Sequence, residues 1–169
     1  ISTARITHAT PAATYAKSAD RNWEDISDMP EAAVTAGCSD IADQLVNFET
    51  YLEARYTGVD VDGIDVAMGG GRRHFLPKDA AFNSPDAVSD VEGDRTDERD
   101  LTAEWQTMYE NGVYVYDQAG FDAIDTESVE RVFGLFNESH MQYEADRGND
   151  IAGEPSIAEM TETAINILD

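Results

Sequence analysis

The sequence predicts an α/β fold with a largely parallel sheet flanked by helices. Short apolar runs of strand length alternate with segments in which apolar residues recur at helical spacing. A Gly-Gly-Gly run also closes one of the apolar runs, as expected where a strand gives way to a turn. The 169 residues are enough for one domain with an apolar core, so we expect residues 1–169 to form a single α/β segment.

Three segments show the helical pattern. The first covers residues 31–48 after Pro30, the second covers 101–111, and the third follows Pro155, since proline suits the first turn of a helix. The predicted apolar faces are Val34, Cys38, Ile41, Ala42, Leu45 and Phe48; then Leu101, Trp105, Met108 and Tyr109; then Ile157, Met160, Thr161, Ala164, Ile165 and Leu168. As the single cysteine, Cys38 cannot form an internal disulfide and is expected to be a buried small hydrophobe.

Residues 63–68, 113–116 and 132–136 are predicted strands. The glycine run at 69–71 lacks the spacing of nucleotide-binding loops, so we expect a turn with positive φ and disfavour a Rossmann-like nucleotide binder. Between residues 77 and 100 the periodicity is lost and acidic residues accumulate. This stretch is predicted to be an acidic surface loop inserted into the fold.

The charge balance excludes some classes of partner. With 35 acidic and 11 basic residues the net charge is −24, so nucleic-acid phosphates would be repelled. No apolar run reaches the eighteen or so residues that a membrane-spanning helix requires. The acid excess and the presence of only two lysines favour a salt-loving bacterial source, because concentrated salt screens carboxylate repulsion.

Five blocks of the sequence together resemble the alkaline phosphatases of vertebrate type. In chain order they are THATPAATYAKSADRNW, GCSDIADQL, DVAMGGGRRHFLP, GLFNESHMQYEADR and EPSIAEMTETAINIL. The resemblance implies an interior segment of a phosphomonoesterase with a partial alkaline-phosphatase-like fold. In such enzymes a serine attacks phosphorus and the phosphoserine is then hydrolysed at two zinc ions. The serine and most zinc ligands would lie outside this chain, which alone is therefore expected to be inactive.

The resemblance also assigns roles to three residues near the start of the chain. Arg21 would hold the phosphoryl group, Thr10 would give its hydroxyl oxygen to Mg²⁺, and His8 would contact the waters of that ion. The sequence leaves other roles open. Thr10 could be the N-cap of a helix that has Pro11 at its first position, His8 could be a surface histidine, and Arg21 could pair with a neighbouring acid (Asp20, Glu24 or Asp25).

A calcium site is the last implication of the resemblance. Its ligands would be Asp86, the carbonyl of Phe136, and the side chains of Asn137 and Glu154, with Asn137 standing where relatives have glutamate. The parent would be a periplasmic or secreted homodimer acting on phosphate monoesters. The alternative from another class is a non-catalytic, acidic domain that binds metal cations.

Overall fold

The sheet confirms the predicted α/β class. A computed structural model describes all residues, 1–169. Its three strands are β1 (Val66–Gly69), β2 (Gly112–Val115) and β3 (Arg131–Leu135). They pair in parallel in the order β1-β3-β2. Residues 2–6 run beside the free edge of β1, where the Ser2 and Ile6 N–H groups donate to the carbonyls of Met68 and Gly70, each at 3.0 Å.

Seven short helices surround the sheet. They are α1 (Ala9–Ala12), α2 (Glu31–Thr35), α3 (Ile41–Val46), α4 (Phe48–Arg55), α5 (Leu101–Met108), α6 (Gln118–Asp122) and α7 (Ile157–Leu168). Single 3₁₀ turns lie at Ile26–Asp28, Arg72–Phe75, Ala80–Phe82 and Arg147–Asn149. None of the helices combines the length and the apolar character needed to span a bilayer.

Apolar side chains cover both faces of the sheet. Because side chains alternate along a strand, β3 sends Phe133 and Leu135 to one face and Val132 to the other. The first face packs against residues of α3 and α5, including Leu45 and Trp105. The second packs against α6 and α7 through Phe121, Met160 and Ala164 among others. The result is a three-layer arrangement in which the sheet is buried from both sides.

The predicted helix over 31–48 is wrong as a continuous element. Gly37 has φ +79°, a left-handed conformation that ends α2, and the Asp40 carboxylate accepts the Asp43 N–H to begin α3. The break turns the first part of the predicted stripe to solvent, so that Val34 and Cys38 are exposed rather than buried. These local capping signals therefore outweigh the apolar periodicity.

The last helix follows its predicted pattern only in part. Ser156 and Glu159 form a reciprocal capping box at its start. Met160 and Ala164 are buried against the sheet as predicted. The rest of the predicted face is largely exposed: Ile157, Thr161, Ile165 and Leu168.

The stretch 77–100 is irregular, as predicted, but it does not lie wholly on the surface. Glu92 is 2 % exposed and Asp86 8 % exposed, and both carboxylates pair with the buried guanidinium of Arg72. Arg95, also buried, bridges Asp40 and Asp97. The loop therefore supplies charged groups to the interior, where the planar fork of arginine can satisfy carboxylates.

We expect the chain to be more stable in molar sodium chloride than in dilute buffer. Most of the acidic side chains that give the net charge of −24 lie on the surface, where each close pair repels by about 1 kcal/mol at 4 Å in water. Salt shortens the Debye length to about 3 Å at 1 M and weakens all such pairs together. Relief of a few kcal/mol would raise the melting temperature by about 5–15 °C, as a thermal melt would show. A melting temperature independent of salt would refute this surface-charge argument.

Candidate functional site at the carboxyl ends of the strands

Both predicted sites lie beyond the carboxyl ends of the parallel strands. His8 and Thr10 follow the segment that runs beside β1, and Asn137 follows β3. The glycine turn after β1 packs closely at this edge of the sheet. Gly71 has φ +99°, as predicted for the glycine run, and a Cβ on Gly70 would lie 2.2 Å from the Ser139 carbonyl oxygen. Open parallel sheets bind ligands at this edge.

Arg21 lies beside His8 at the surface. Its Nη2 atom is 3.3 Å from His8 Nε2, and the guanidinium is exposed. None of the three acids that the sequence offered as partners forms a salt bridge with Arg21; Glu24 and Asp25 are buried and contact Arg5 and His74, respectively. Arg21 therefore presents its fork to solvent, where it can bind an anion from outside.

Thr10 is not a helix cap. Helix α1 begins at Ala9 and His8 occupies the N-cap position without a side-chain capping bond, which excludes the alternative in which Thr10 is the N-cap. Thr10 instead lies in the first turn of α1 and is exposed. Thr10 lies two residues beyond His8 in the chain, and its exposure leaves the side chain accessible from solvent.

His140 and Arg5 extend this cluster, and the sequence did not single them out. The rings of His140 and His8 meet edge to face with centroids 5.4 Å apart. Arg5 places its backbone N–H 3.1 Å from His140 Nδ1 and its Nη1 2.9 Å from His140 Nε2. Burial, together with the charges of Arg5 and His8, lowers the pKa of His140, which favours a neutral ring. The two residues connect His8 to the interior.

Glu24 anchors Arg5 from below. Its two carboxylate oxygens accept Arg5 Nη2 at 2.7 Å and Nε at 2.9 Å, and the Thr7 hydroxyl donates to Oε2 at 2.7 Å. Burial alone would raise the pKa of Glu24, but Arg5, His74 and Thr7 outweigh burial and lower it. The carboxylate is thus held ionised beneath Arg5 and fixes the orientation of the guanidinium.

The residues of the predicted calcium site converge in part. Asn137 Nδ2 lies 3.5 Å from Glu154 Oε2, and Glu154 Oε1 accepts the Gln142 N–H at 2.5 Å. Phe136 is fully buried at the end of β3, and Arg72 holds Asp86 at 2.8 Å while donating to the Leu135 carbonyl.

Asp150 joins this second cluster and was missed by the sequence. Its Oδ2 atom is buried without a hydrogen-bond partner. Burial first, and the Asp86 carboxylate next, raise the pKa of Asp150; burial and the Asp150 carboxylate raise the pKa of Glu154 to about 7. Asp150 thus brings a carboxylate to a site where Asn137 has none. An orphaned buried oxygen among carboxylates fits a hard cation.

Comparison with known proteins identifies the family. The alkaline phosphatase family model matches residues 1–169. The chain belongs to the alkaline phosphatase family. It is 36 % identical over 171 residues to the tissue-nonspecific alkaline phosphatase of Rattus norvegicus and 36 % identical over 170 residues to an alkaline phosphatase of Gadus morhua, each match covering 99 % of this chain.

A solved structure supports the same fold. The crystal structure of Thermus thermophilus alkaline phosphatase superposes with a TM-score of 0.63 and 26 % identity, over 98 % of this chain and 25 % of that one. The matched chain spans 30 % of the rat alkaline phosphatase and 33 % of the cod alkaline phosphatase.

Proposed function

We propose that this chain forms the phosphate-binding and magnesium-binding part of an alkaline phosphatase that hydrolyses phosphate monoesters. The observation that supports the proposal is the contact between the exposed Arg21 guanidinium and His8, which lies two residues before the exposed Thr10. Family membership supports phosphate monoesters as substrates and divalent metal ions as cofactors. We also propose that the complete protein binds zinc through ligands outside this chain. The complete protein would be a homodimer located in the periplasm or secreted.

The residues of this chain would have two roles, phosphate binding and magnesium binding. Arg21 would bind two phosphate oxygens through its planar fork and so orient the phosphoryl group for in-line attack. Thr10 would give its hydroxyl oxygen to Mg²⁺, and His8 would contact the waters of that ion. When bound, the metal ions supply charge stabilisation and an activated water. His140, Arg5 and Glu24 hold His8 in place from behind.

Thr10→Val in the complete enzyme tests the magnesium role. Valine keeps the shape of threonine and removes the oxygen, so the Mg²⁺ concentration for half-maximal hydrolysis of a chromogenic phosphate ester should rise on the order of tenfold or more. Thermal stability should barely change, because Thr10 is exposed and caps no helix. Thr10→Ser, which retains the oxygen, is the matched control. A magnesium titration unchanged by valine would remove Thr10 from the proposal.

We further propose that Asp86, Glu154 and Asn137, with the Phe136 carbonyl, bind Ca²⁺. The burial of Glu154 (1 % exposed) beside Asn137 and the unpartnered Asp150 oxygen support this site. At fixed high ionic strength, calcium at 100 times its Kd should stabilise the chain by about 2.7 kcal/mol and raise its melting temperature. Asp86→Asn combined with Glu154→Gln should abolish that rise, whereas Asp90→Asn, an exposed acid of the same loop, should preserve it. An equal rise in all three proteins would refute the site.

A cation-binding domain without catalysis is the remaining alternative, motivated by the second cluster of carboxylates. The same ester assay separates it from the phosphatase. Calcium-dependent stabilisation with no contribution of Arg21 to turnover in the complete protein would favour the alternative.

A further inference from the structure

A third cluster of possible ligands lies apart from both proposed sites. Asp25, Asp28 and His74 each offer one ligand atom, and these atoms all lie within 4.8 Å of one another. Asp25 precedes the 3₁₀ turn Ile26–Asp28, and His74 lies in the turn Arg72–Phe75 that follows β1. Two turns distant in sequence thus bring an imidazole and two carboxylates together.

The backbone fixes the two carboxylates. Asp25 caps its turn, and its Oδ1 accepts the Ser27 N–H at 2.7 Å, which leaves Oδ2 directed at His74 Nδ1 at 2.5 Å. Asp28, at the other end of the turn, keeps a carboxylate oxygen within 4.8 Å of the Asp25 and His74 ligand atoms. Like charges held together in this way gain from a cation between them.

The second observation is the state of the His74 ring. The residue is 6 % exposed, and Nε2 is buried without a hydrogen-bond partner, although Glu24 Oε2 lies 3.3 Å away. A neutral imidazole carries one proton and has two nitrogens. Wherever that proton sits, the other nitrogen faces a carboxylate as an unprotonated acceptor, towards either Glu24 or Asp25. One more proton, on the ring or on the carboxylate, or a metal ion would satisfy that contact.

We propose that Asp25, Asp28 and His74 Nδ1 bind a divalent transition-metal ion of the Zn²⁺ class, while Glu24 accepts the Nε2–H of His74. One imidazole nitrogen and two carboxylates suit such ions better than the all-oxygen sets that Mg²⁺ and Ca²⁺ prefer. A carboxylate behind a metal-bound histidine is the usual support for such a ligand. Glu24 also holds Arg5, so the ion would brace the base of the His8 and His140 cluster.

Zinc titration of the chelator-treated protein tests the proposal. Millimolar Mg²⁺ and Ca²⁺ are kept present to occupy the oxygen-ligand sites, and Zn²⁺ uptake is measured by calorimetry, with Co²⁺ absorbance as a second readout. We expect one equivalent to bind. Asp28→Asn should weaken binding at least tenfold without unfolding the protein because the residue is exposed, and Glu24→Gln should weaken binding by about 10–100-fold.

The controls separate this site from other ligands. Glu31→Gln removes an exposed carboxylate nearby, and His140→Gln removes a surface imidazole; both should bind Zn²⁺ like the unaltered protein. Nitrogen chemical shifts of His74 should show Nε2 protonated and Nδ1 bound to metal. The proposal is overturned if no Zn²⁺ binds, if Asp28→Asn binds it equally well, or if both His74 nitrogens are protonated in the zinc-saturated sample. The last result would make the cluster a buried imidazolium ion pair.

Discussion

Replacing Arg72 by leucine is expected to lower the free energy of unfolding by about 3–5 kcal/mol, the usual cost of breaking a buried ion pair. The Arg72 guanidinium, 1 % exposed, donates to Glu92 at 2.5 Å, to Asp86 at 2.8 Å and to the Leu135 carbonyl at 2.8 Å. Leucine would leave two buried carboxylates and a strand-end carbonyl without their donor. Urea unfolding followed by circular dichroism measures the change.

Two further variants make this result specific. Glu92→Gln keeps the shape of the side chain and removes one charge, so a smaller loss in the same direction is expected even if the leucine variant is too unstable to measure. Arg55→Leu removes an exposed arginine of α4 and should change stability by less than about 0.5 kcal/mol. Equal losses at Arg72 and Arg55 would show that the buried pairs contribute nothing beyond surface charge.

If the proposed function holds, Arg21→Ala in the complete protein is expected to reduce kcat/KM for phosphate esters by roughly 10²–10³-fold, the usual effect of losing a transition-state donor. The guanidinium is exposed and lies 3.3 Å from His8, so it is accessible to a phosphoryl group. Arg21→Lys should recover little, because an ammonium cannot reproduce the bidentate fork. Steady-state kinetics of both variants measure the effect.

Stability provides the control for Arg21. Because its side chain is exposed and forms no salt bridge, neither variant should shift the melting temperature appreciably. A loss of activity accompanied by an equal loss of folded protein would point to a structural role. Full activity in the lysine variant would reduce Arg21 to a surface charge.

Residues with local signals could be placed from the sequence. The strand over 132–136 was predicted within one residue, because a buried parallel strand is a continuous apolar run. The turn at Gly71 was predicted because few other residues adopt positive φ. The grouping of His8, Thr10 and Arg21 came from family resemblance, and the structure does bring His8 and Arg21 into contact. Their chemical roles stay predictions.

Other features depend on contacts between distant parts of the chain. Nothing local in Glu92 indicates that it is buried, since its partner Arg72 is twenty residues away. His140 meets Arg5 across 135 positions and could not be linked to His8 by spacing. Cys38 was misplaced for a different reason: a glycine next to it ended the helix that should have turned it inward. Buried ion pairs and glycines that end helices therefore limit how well apolar periodicity predicts burial in this protein.

The strand order has a consequence for how the chain reaches this structure. β3 is the last strand in sequence but the middle strand in space, and its Val132 is aligned with both Val66 and Val113. The two edge strands never touch, so neither can pair with another of the three strands until β3 has been synthesised. Such non-local closure slows folding and leaves apolar edges exposed on the nascent chain. The acidic side chains already carry their charge in the incomplete chain. Their mutual repulsion therefore opposes aggregation before folding is complete.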